Sequence, residues 1–224
     1  MANLEPLIQS IPVAPLKLAS LEGCRTLADQ VNNYLVSFRH ESPTNVGQAD
    51  SLQGYCADSY LLECECPRFG SGEGKGVLKE SVRGCDLFIM VDITNYSLTY
   101  RVNGYENHMS PDNHYQDLKR IISAADGKAR RINVIMPFLY EGRQHKRSKR
   151  ESLDCALMLQ ELVDMGVSNI LTFDAHDPRV SNSIPLHGFD SFMPTYQFLK
   201  ALVNSVPDFV IDNDHLMIIS PDEG

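Results

Sequence analysis

Residues 136–176 read MPFLYEGRQHKRSKRESLDCALMLQELVDMGVSNILTFDAH. Ile132 to Met136 makes an apolar strand leading into this stretch. A loop from Pro137 to Arg150 follows, then a helix over Ser152–Met165 that stops at Gly166, then a second strand over Asn169–Phe173. Five of the eight positions from Arg143 to Arg150 are Lys or Arg, in a chain whose formal net charge is −9. A cationic loop just beyond the end of an apolar strand is where an α/β protein holds a polyanion. The second strand ends on Asp174-Ala175-His176, a carboxylate and an imidazole. If both tips share one rim of a sheet, phosphate-binding cations and candidate metal ligands sit side by side.

The rest of the chain extends this unit. Apolar Leu27, Val31 and Leu35 recur at i, i+4 and i+8 and predict a helix over Cys24–Val36. Polar residues with Pro43, Gly47 and Gly54 make His40–Gly54 a loop. Tyr60–Cys64 reads as a strand, Phe69–Gly76 as a glycine-rich loop and Val77–Val82 as a strand returning to pair, which gives a hairpin. Asp86–Asp92 is a buried strand by its continuous apolar run. Asn95–Met109 is polar and is expected to be irregular. The next helix has Ser110 as N-cap, Pro111 at its first position and Asp112 at the positive end of its dipole. It runs to about Ala125 and stops at Asp126-Gly127. In the Ser152–Met165 helix the polar stripe is Asp154, Glu161 and Asp164, so most of its surface packs. A helix over Phe192–Asn204 and a last strand over His215–Ile219 complete the pattern. Strands alternating with helices imply an α/β fold: a parallel twisted sheet flanked by helices through right-handed crossovers, carrying a glycine-rich β-hairpin. Pro6, Pro12 and Pro15 mark residues 1–15 as an N-terminal arm. Residues 16–205 then form an α/β domain, and 206–224 begin a second α/β domain that the chain truncates.

Composition limits the function classes. Hydrophobic residues make up 43% and charged residues 22% of 224, ordinary for a chain with one sizeable core. The longest apolar runs, such as Leu87–Val91, fall far short of the roughly 20 residues of a membrane span. The N-terminus has no basic region followed by an apolar stretch, so no signal peptide is expected. Cys24, Cys56, Cys64, Cys66, Cys85 and Cys155 match no disulfide framework or zinc spacing, which predicts reduced thiols in a cytoplasmic protein. Cys64-Glu65-Cys66 lacks a His or Cys partner at ligand spacing. A pI near 5.2 argues against general nucleic-acid binding.

Each motif has a plain structural reading beside the functional one. Phe69-Gly70-Ser71-Gly72-Glu73-Gly74-Lys75-Gly76 invites comparison with a phosphate-cradling loop, but Gly76 stands where Ser or Thr must meet Mg²⁺. It is either a flexible hairpin tip or a nucleotide-base contact, with Phe69 stacking and Glu73 hydrogen bonding. The Arg143–Arg150 run is either a solvated surface loop or a polyanion site, and its place after a strand favours the second. Asp174-Ala175-His176 is either a cap and a polar histidine or part of a site. Ser220-Pro221-Asp222 repeats the arrangement of a carboxylate at a strand end, and two acidic tips on parallel strands can share one cation.

Together, Ser81-Val82-Arg83-Gly84-Cys85-Asp86-Leu87-Phe88-Ile89, Arg143-Gln144, Leu171-Thr172-Phe173-Asp174-Ala175-His176 and Ile218-Ile219-Ser220-Pro221-Asp222 resemble the ribose-phosphate pyrophosphokinase (phosphoribosyl pyrophosphate synthetase) family. Order and spacing fit from about Leu16 to Gly224, with no gap between Arg143 and His176. The resemblance implies phosphoribosyltransferase-like α/β domains. It implies transfer of the β,γ-diphosphate of ATP to the 1-hydroxyl of ribose 5-phosphate, a requirement for Mg²⁺, and a homo-oligomer built from dimers, commonly a hexamer. It matches Phe69, Ser71 and Glu73 to an adenine-binding loop offered across a subunit interface. Arg143 and Gln144 match an ATP-binding pair, with Lys146 also on the phosphates. His176 and Asp222 match residues linked to Mg²⁺, the imidazole through water because that ion prefers oxygen, and His176 and Lys146 are the candidate catalytic residues. This sequence has Ser71 and His145 where the family usually has Asp, and Arg150-Glu151-Ser152-Leu153 where it has Ser-Arg-Ala-Pro. Insertions lengthen residues 37–60 and 95–113. The family's later Lys-Arg loop and acidic ribose-phosphate loop do not occur in the chain, so it corresponds to the N-terminal half plus the first strand of the second domain. It is expected to be inactive alone. The alternative is a regulatory or assembly homologue that kept the fold and lost turnover. A phosphoribosyltransferase consuming the activated sugar is disfavoured, since its acidic sugar-phosphate motif is not found.

Overall fold

A computed structural model of the chain describes residues 12–41, 54–206, 210–212 and 214–219. The chain divides into two units, Met1–Phe192 and Met193–Gly224. Most of the expected N-terminal arm, and Ser220-Pro221-Asp222, lie outside the described residues.

The first unit is built on six parallel strands: β1 (Leu16–Ser20), β2 (Leu61–Leu62), β5 (Asp86–Met90), β8 (Arg131–Ile135), β9 (Val167–Phe173) and β10 (Gly188–Phe192). Their order across the sheet is β10-β9-β8-β5-β1-β2. The main helices are α1 (Arg25–Glu41), α2 (Pro111–Ala124) and α3 (Asp154–Asp164). Side chains alternate between the two faces of a strand, and both faces here are apolar. Leu87 and Ile89 of β5, with Ala19, Val134 and Ile170, join the cluster that includes Leu118 and Ile121 of α2 and Leu159 and Leu162 of α3. Phe88 and Met90 point the other way, into the cluster with Leu18, Ile135 and Ala28 of α1. The expected α/β fold with a parallel sheet and flanking helices is thus observed.

A buried polar chain crosses the sheet. Arg131 donates to both carboxylate oxygens of Asp86, Asn133 donates to Asp86 Oδ1 at 2.8 Å, and Asn169 donates to Asn133 Oδ1 at 2.6 Å. A one-residue slip would leave these groups unpaired inside, so they help fix the register.

The start of α2 follows expectation. Ser110 Oγ accepts from Asn113 N, Pro111 opens the helix, and Asp126 and Gly127 leave it in the left-handed region (φ 52° and 61°). Five expectations need correction. Residues 95–109 are not irregular: β6 (Thr99–Val102) and β7 (Tyr105–His108) form an antiparallel hairpin closed by Asn103-Gly104, both at positive φ, the dipeptide that two-residue hairpin turns favour. The helix expected from Phe192 starts later, as α4 (Thr195–Ser205), because Phe192 ends β10, which pairs with β9. In α1 the buried residues are Ala28 and Asn32, while Leu27 is exposed; Asn32 Oδ1 accepts the backbone N–H of Tyr60 and ties the helix to β2. Residues 215–219 form no strand, since a strand needs a paired neighbour and none is present among the described residues. The segment expected as one strand over Tyr60–Cys64 is two, β2 and β3 (Cys64–Glu65). β3 pairs antiparallel with β4 (Val77–Leu78), with the glycine-rich loop between them.

Candidate functional site

The sheet reverses its strand order between β1 and β5: from β1 the chain moves outward to β2, then returns to lay β5 on the opposite side. Ligands of open α/β sheets sit beyond the strand C-termini at such a reversal. There a crevice of about 470 Å³ is lined by residues that include Gly23, Gln30, Asp92, Thr94, Pro137 and Phe138. These residues follow β1, β5 and β8.

The basic loop leaves β8 at this rim. Met136 and Leu139 are buried, and Tyr140 stacks on Tyr115 of α2 with ring centroids 4.6 Å apart. Tyr140 donates its hydroxyl proton to Asp112 at 2.6 Å, and Tyr115 donates to Glu161 of α3 at 2.7 Å. Burial, and then the bond to its carboxylate, pushes each phenol above its ordinary range. Glu141, at φ 54°, is raised by burial and then by the carboxylates of Asp154 and Asp112. Past this anchored base, Gln144 closes the neck of the loop: its Nε2 donates to Ser152 O at 2.7 Å, and its backbone carbonyl accepts from Cys155 N. Arg143, Lys146, Arg147, Lys149 and Arg150 are all exposed, and among the described residues none forms an ion pair. Five unneutralised cations on a loop of an acidic protein form a local positive field suited to a polyanion.

The tip of β9 meets that loop. Asp174 adopts φ 44°, a conformation uncommon for a residue with a side chain, as the chain turns at the rim. His176 is exposed, and its ring lies 5.1 Å from the ring of His145. Asp177 accepts from the backbone N–H and the guanidinium of Arg179, and that guanidinium holds its carboxyl far below the usual carboxylate range. So Arg143, Gln144 and Lys146 belong to one loop, and its His145 touches the β9 tip that carries His176. Asp222 lies outside the described residues.

Phe69, Ser71 and Glu73 sit elsewhere on the surface. Phe69 N donates to Glu73 O, Gly72 N donates to Phe69 O, and Arg68 pairs with Gly74 across the loop. Gly72 has φ 91°, and a Cβ there would come within 3.0 Å of Val102 on β6. Ser71 Oγ donates to Glu73 Oε2 at 2.8 Å, and Phe69 is half exposed. Among the described residues no hydrogen bond, ion pair or ring contact joins these three side chains to Arg143, Gln144 or Lys146.

For Mg²⁺ the donor chemistry is thin. Among the described residues no group of three or more His, Cys, Asp or Glu side chains is placed to hold a metal. The Asp177 oxygens are taken by Arg179, and imidazole suits Mg²⁺ poorly. The residues present do not make a protein cage for that ion. Sequence reasoning missed Asp92 and Thr94, where Asp92 Oδ1 accepts from both the backbone N–H and the hydroxyl of Thr94. Their signal was the one that marked Asp174: a carboxylate just beyond an apolar strand.

All six cysteines are free, and among the described residues no helix is long and apolar enough to cross a membrane. Comparison with known proteins matches residues 16–166 to the family described as the N-terminal domain of ribose phosphate pyrophosphokinase. The ribose-phosphate pyrophosphokinase of Corynebacterium ammoniagenes is 29% identical over 167 residues, covering 74% of this chain and 41% of that protein. That of Staphylococcus epidermidis is 27% identical over 168 residues, covering 73% of this chain and 46% of that protein. The chain therefore spans less than half the length of these curated relatives. A phosphoribosylpyrophosphate synthetase from Mycobacterium smegmatis has a similar fold, with a TM-score of 0.59, 21% identity, and coverage of 85% of this chain and 52% of that one.

Proposed function

Since the chain belongs to the family of the N-terminal domain of ribose phosphate pyrophosphokinase, we propose that its cationic rim binds the triphosphate of ATP for transfer of diphosphate to ribose 5-phosphate. The observation that carries this is the meeting of the Arg143–Arg150 loop with the β9 tip at His176, beside the strand-order reversal. Phosphoryl-transfer chemistry of this kind rests on positioning and charge neutralisation rather than on a nucleophilic side chain. Arg143 and Lys146 would hold phosphate oxygens, and the sugar hydroxyl would attack. Mg²⁺ would be carried by the nucleotide rather than by a protein cage, and His176 and Lys146 would act on the reacting phosphates. Phe69, Ser71 and Glu73, remote from the loop in bonded contacts, would serve the adenine of a neighbouring copy in a homo-oligomer, dimeric or hexameric. A cytoplasmic setting suits six free thiols.

A second reading has support of its own. Ser71 occupies the Glu73 carboxylate, and His145 replaces a carboxylate of the resembling pattern. Both departures fit a nucleotide-binding regulatory or assembly homologue without turnover. Calorimetric titration with a non-hydrolysable ATP analogue and Mg²⁺, paired with an AMP-release assay including ribose 5-phosphate, separates the two. On the chain as given we expect binding without release. On a longer protein that includes the Lys-Arg and acidic loops, release supports the transferase, and binding without release supports the regulator. No binding by either sinks both.

A further inference from the structure

We propose that His145 is a positioning residue: its ring wedges against the β9 tip and holds the cationic loop over it. This rests on the triphosphate reading for its use, but not for its geometry. The side chains of His145 and Asp177 are only 12% and 11% exposed, although every Lys and Arg of the loop is exposed. The ring of His145 stands 5.1 Å from that of His176 at a tilt of 59°. Its Nε2 is 3.6 Å from Asp177 Oδ2, and its Nδ1 is 3.1 Å from Arg143 O, so both ring nitrogens face oxygen. Asp177 is a firm post. It accepts the backbone N–H of Arg179 at 2.9 Å and the guanidinium at 2.5 to 3.1 Å, and it caps the short helix Pro178–Ser183.

Without this wedge the loop has little to hold its far part. Gln144 ties only the neck. From Lys146 to Glu151 the side-chain hydrogen bonds among the described residues are the weak ones of Ser148 with Glu151, at 3.4 to 3.5 Å. A cationic loop held only at its neck samples many conformations away from its ligand, and binding then costs the ordering of its backbone. A carboxylate at position 145 would face the Asp177 carboxylate and be repelled. Anchoring by an imidazole is therefore specific to this pairing of residues 145 and 177.

The test uses His145→Asp, His145→Gln, Asp177→Asn and the double variant His145→Asp with Asp177→Asn, in the full 224-residue chain. Ligand-free trypsin cleavage within residues 146–150 reads loop anchoring, titration with inorganic triphosphate at fixed salt reads its use, and thermal unfolding checks the fold. His145→Asp is expected to speed cleavage about fivefold, as a loop whose local opening has become easier. Triphosphate affinity should fall about tenfold as pre-organisation is lost. The Asp177→Asn change should recover part of both effects by removing the like charge. His145→Gln should fall between wild type and His145→Asp, and it decides the matter if the aspartate variant does not fold. Unchanged cleavage in His145→Asp, or a double variant no better than the single, overturns the wedge. Wild-type protein that ignores triphosphate overturns the ligand reading instead, while the cleavage rates still judge the anchor.

Discussion

Arg68 grips the carboxylate of Asp117 with two parallel N–H bonds, 2.6 and 2.8 Å long, and both side chains are more than nine-tenths buried. The pair joins the glycine-rich hairpin to α2, and Arg120 adds a third bond to the same carboxylate at 2.6 Å. Around it the packing leaves no room: a Cβ on Gly74 would lie 2.2 Å from Arg68 Nη1, and one on Gly76 would lie 2.4 Å from the Arg120 carbonyl oxygen. The two glycines are therefore spacers that let the hairpin lie on α2, which the sequence alone presents only as generic flexibility.

Asp117→Ala leaves Arg68 buried without a counter-charge. Breaking a buried pair by removing one partner costs about 3–5 kcal/mol. Denaturant unfolding followed by far-ultraviolet circular dichroism should show a loss of this size, larger than for Lys17→Ala, whose partner Glu80 is exposed. Equal losses for the two variants would mean that the Arg68–Asp117 pair is not a structural clamp.

Gly188 is expected to tolerate no side chain because Asn169 occupies the space. An added Cβ would sit 2.1 Å from Asn169 Oδ1, which belongs to the polar chain through Asn133 and Asp86. Gly188→Ala should destabilise by about 1–3 kcal/mol, as overpacking does. Asn169→Ala makes room but leaves Asn133 Oδ1 without its donor. In a double-mutant cycle the second change should therefore recover part of the cost of the first, and strict additivity would refute the steric account.

The elements easiest to foresee were those whose local chemistry and burial agree. The apolar run Leu87–Val91 could only be a buried strand. Ser110-Pro111-Asp112 could hardly be anything but a helix start, and Ser110 does cap α2. Where local signal and polarity conflict, polarity misled. Asn103-Gly104 is a strong hairpin-turn dipeptide, but only Tyr100 and Val102 of β6 are half-buried and β7 is mostly exposed, so the alternation was too short and too polar to mark the pair. Gly188–Phe192 was hidden because an edge strand shows a weak pattern, and only its pairing with β9 defines it. In the site, the clustering of charge in the loop was plain to see. The closure of its neck by Gln144 and the approach of His145 to Asp177 were not, because both depend on how far apart β8 and β9 hold their tips.

Thiol chemistry should separate the six cysteines. Burial pushes Cys64 and Cys155 up to about 11. Burial, with Asp92 or Asp117 nearby, pushes Cys24 and Cys66 up to about 12. At pH 8 their reactive thiolate fraction is then on the order of one in a thousand or less. A disulfide-exchange reagent should label Cys56 and Cys85 first and reach the other four only after unfolding. The folded state holds these protons more tightly than the unfolded one. Their contribution to stability is therefore intact below the ordinary thiol value near pH 9 and falls away as pH rises toward 11 or 12. Rapid native-state labelling of Cys24 or Cys66 at pH 8 would show that these thiols are not enclosed.

The cationic loop should bind by charge count as well as by shape. Arg143 and Lys146 flank the His145 anchor, both exposed and both without an ion-pair partner among the described residues, so neither must leave a carboxylate to meet a phosphate. Arg offers a planar two-pronged donor and Lys a point charge, and a hydrogen bond from a charged group is worth about 1.5–3 kcal/mol before exposure reduces it. Removing both in Arg143→Ala with Lys146→Ala should weaken binding of inorganic triphosphate about tenfold or more at low salt. The gap to wild type should narrow as ionic strength rises, because screening weakens contacts at an exposed loop. Loss of affinity through collapse of the loop would instead persist at all salt concentrations. A salt-independent difference would therefore place the triphosphate site away from these two side chains, even if affinity fell.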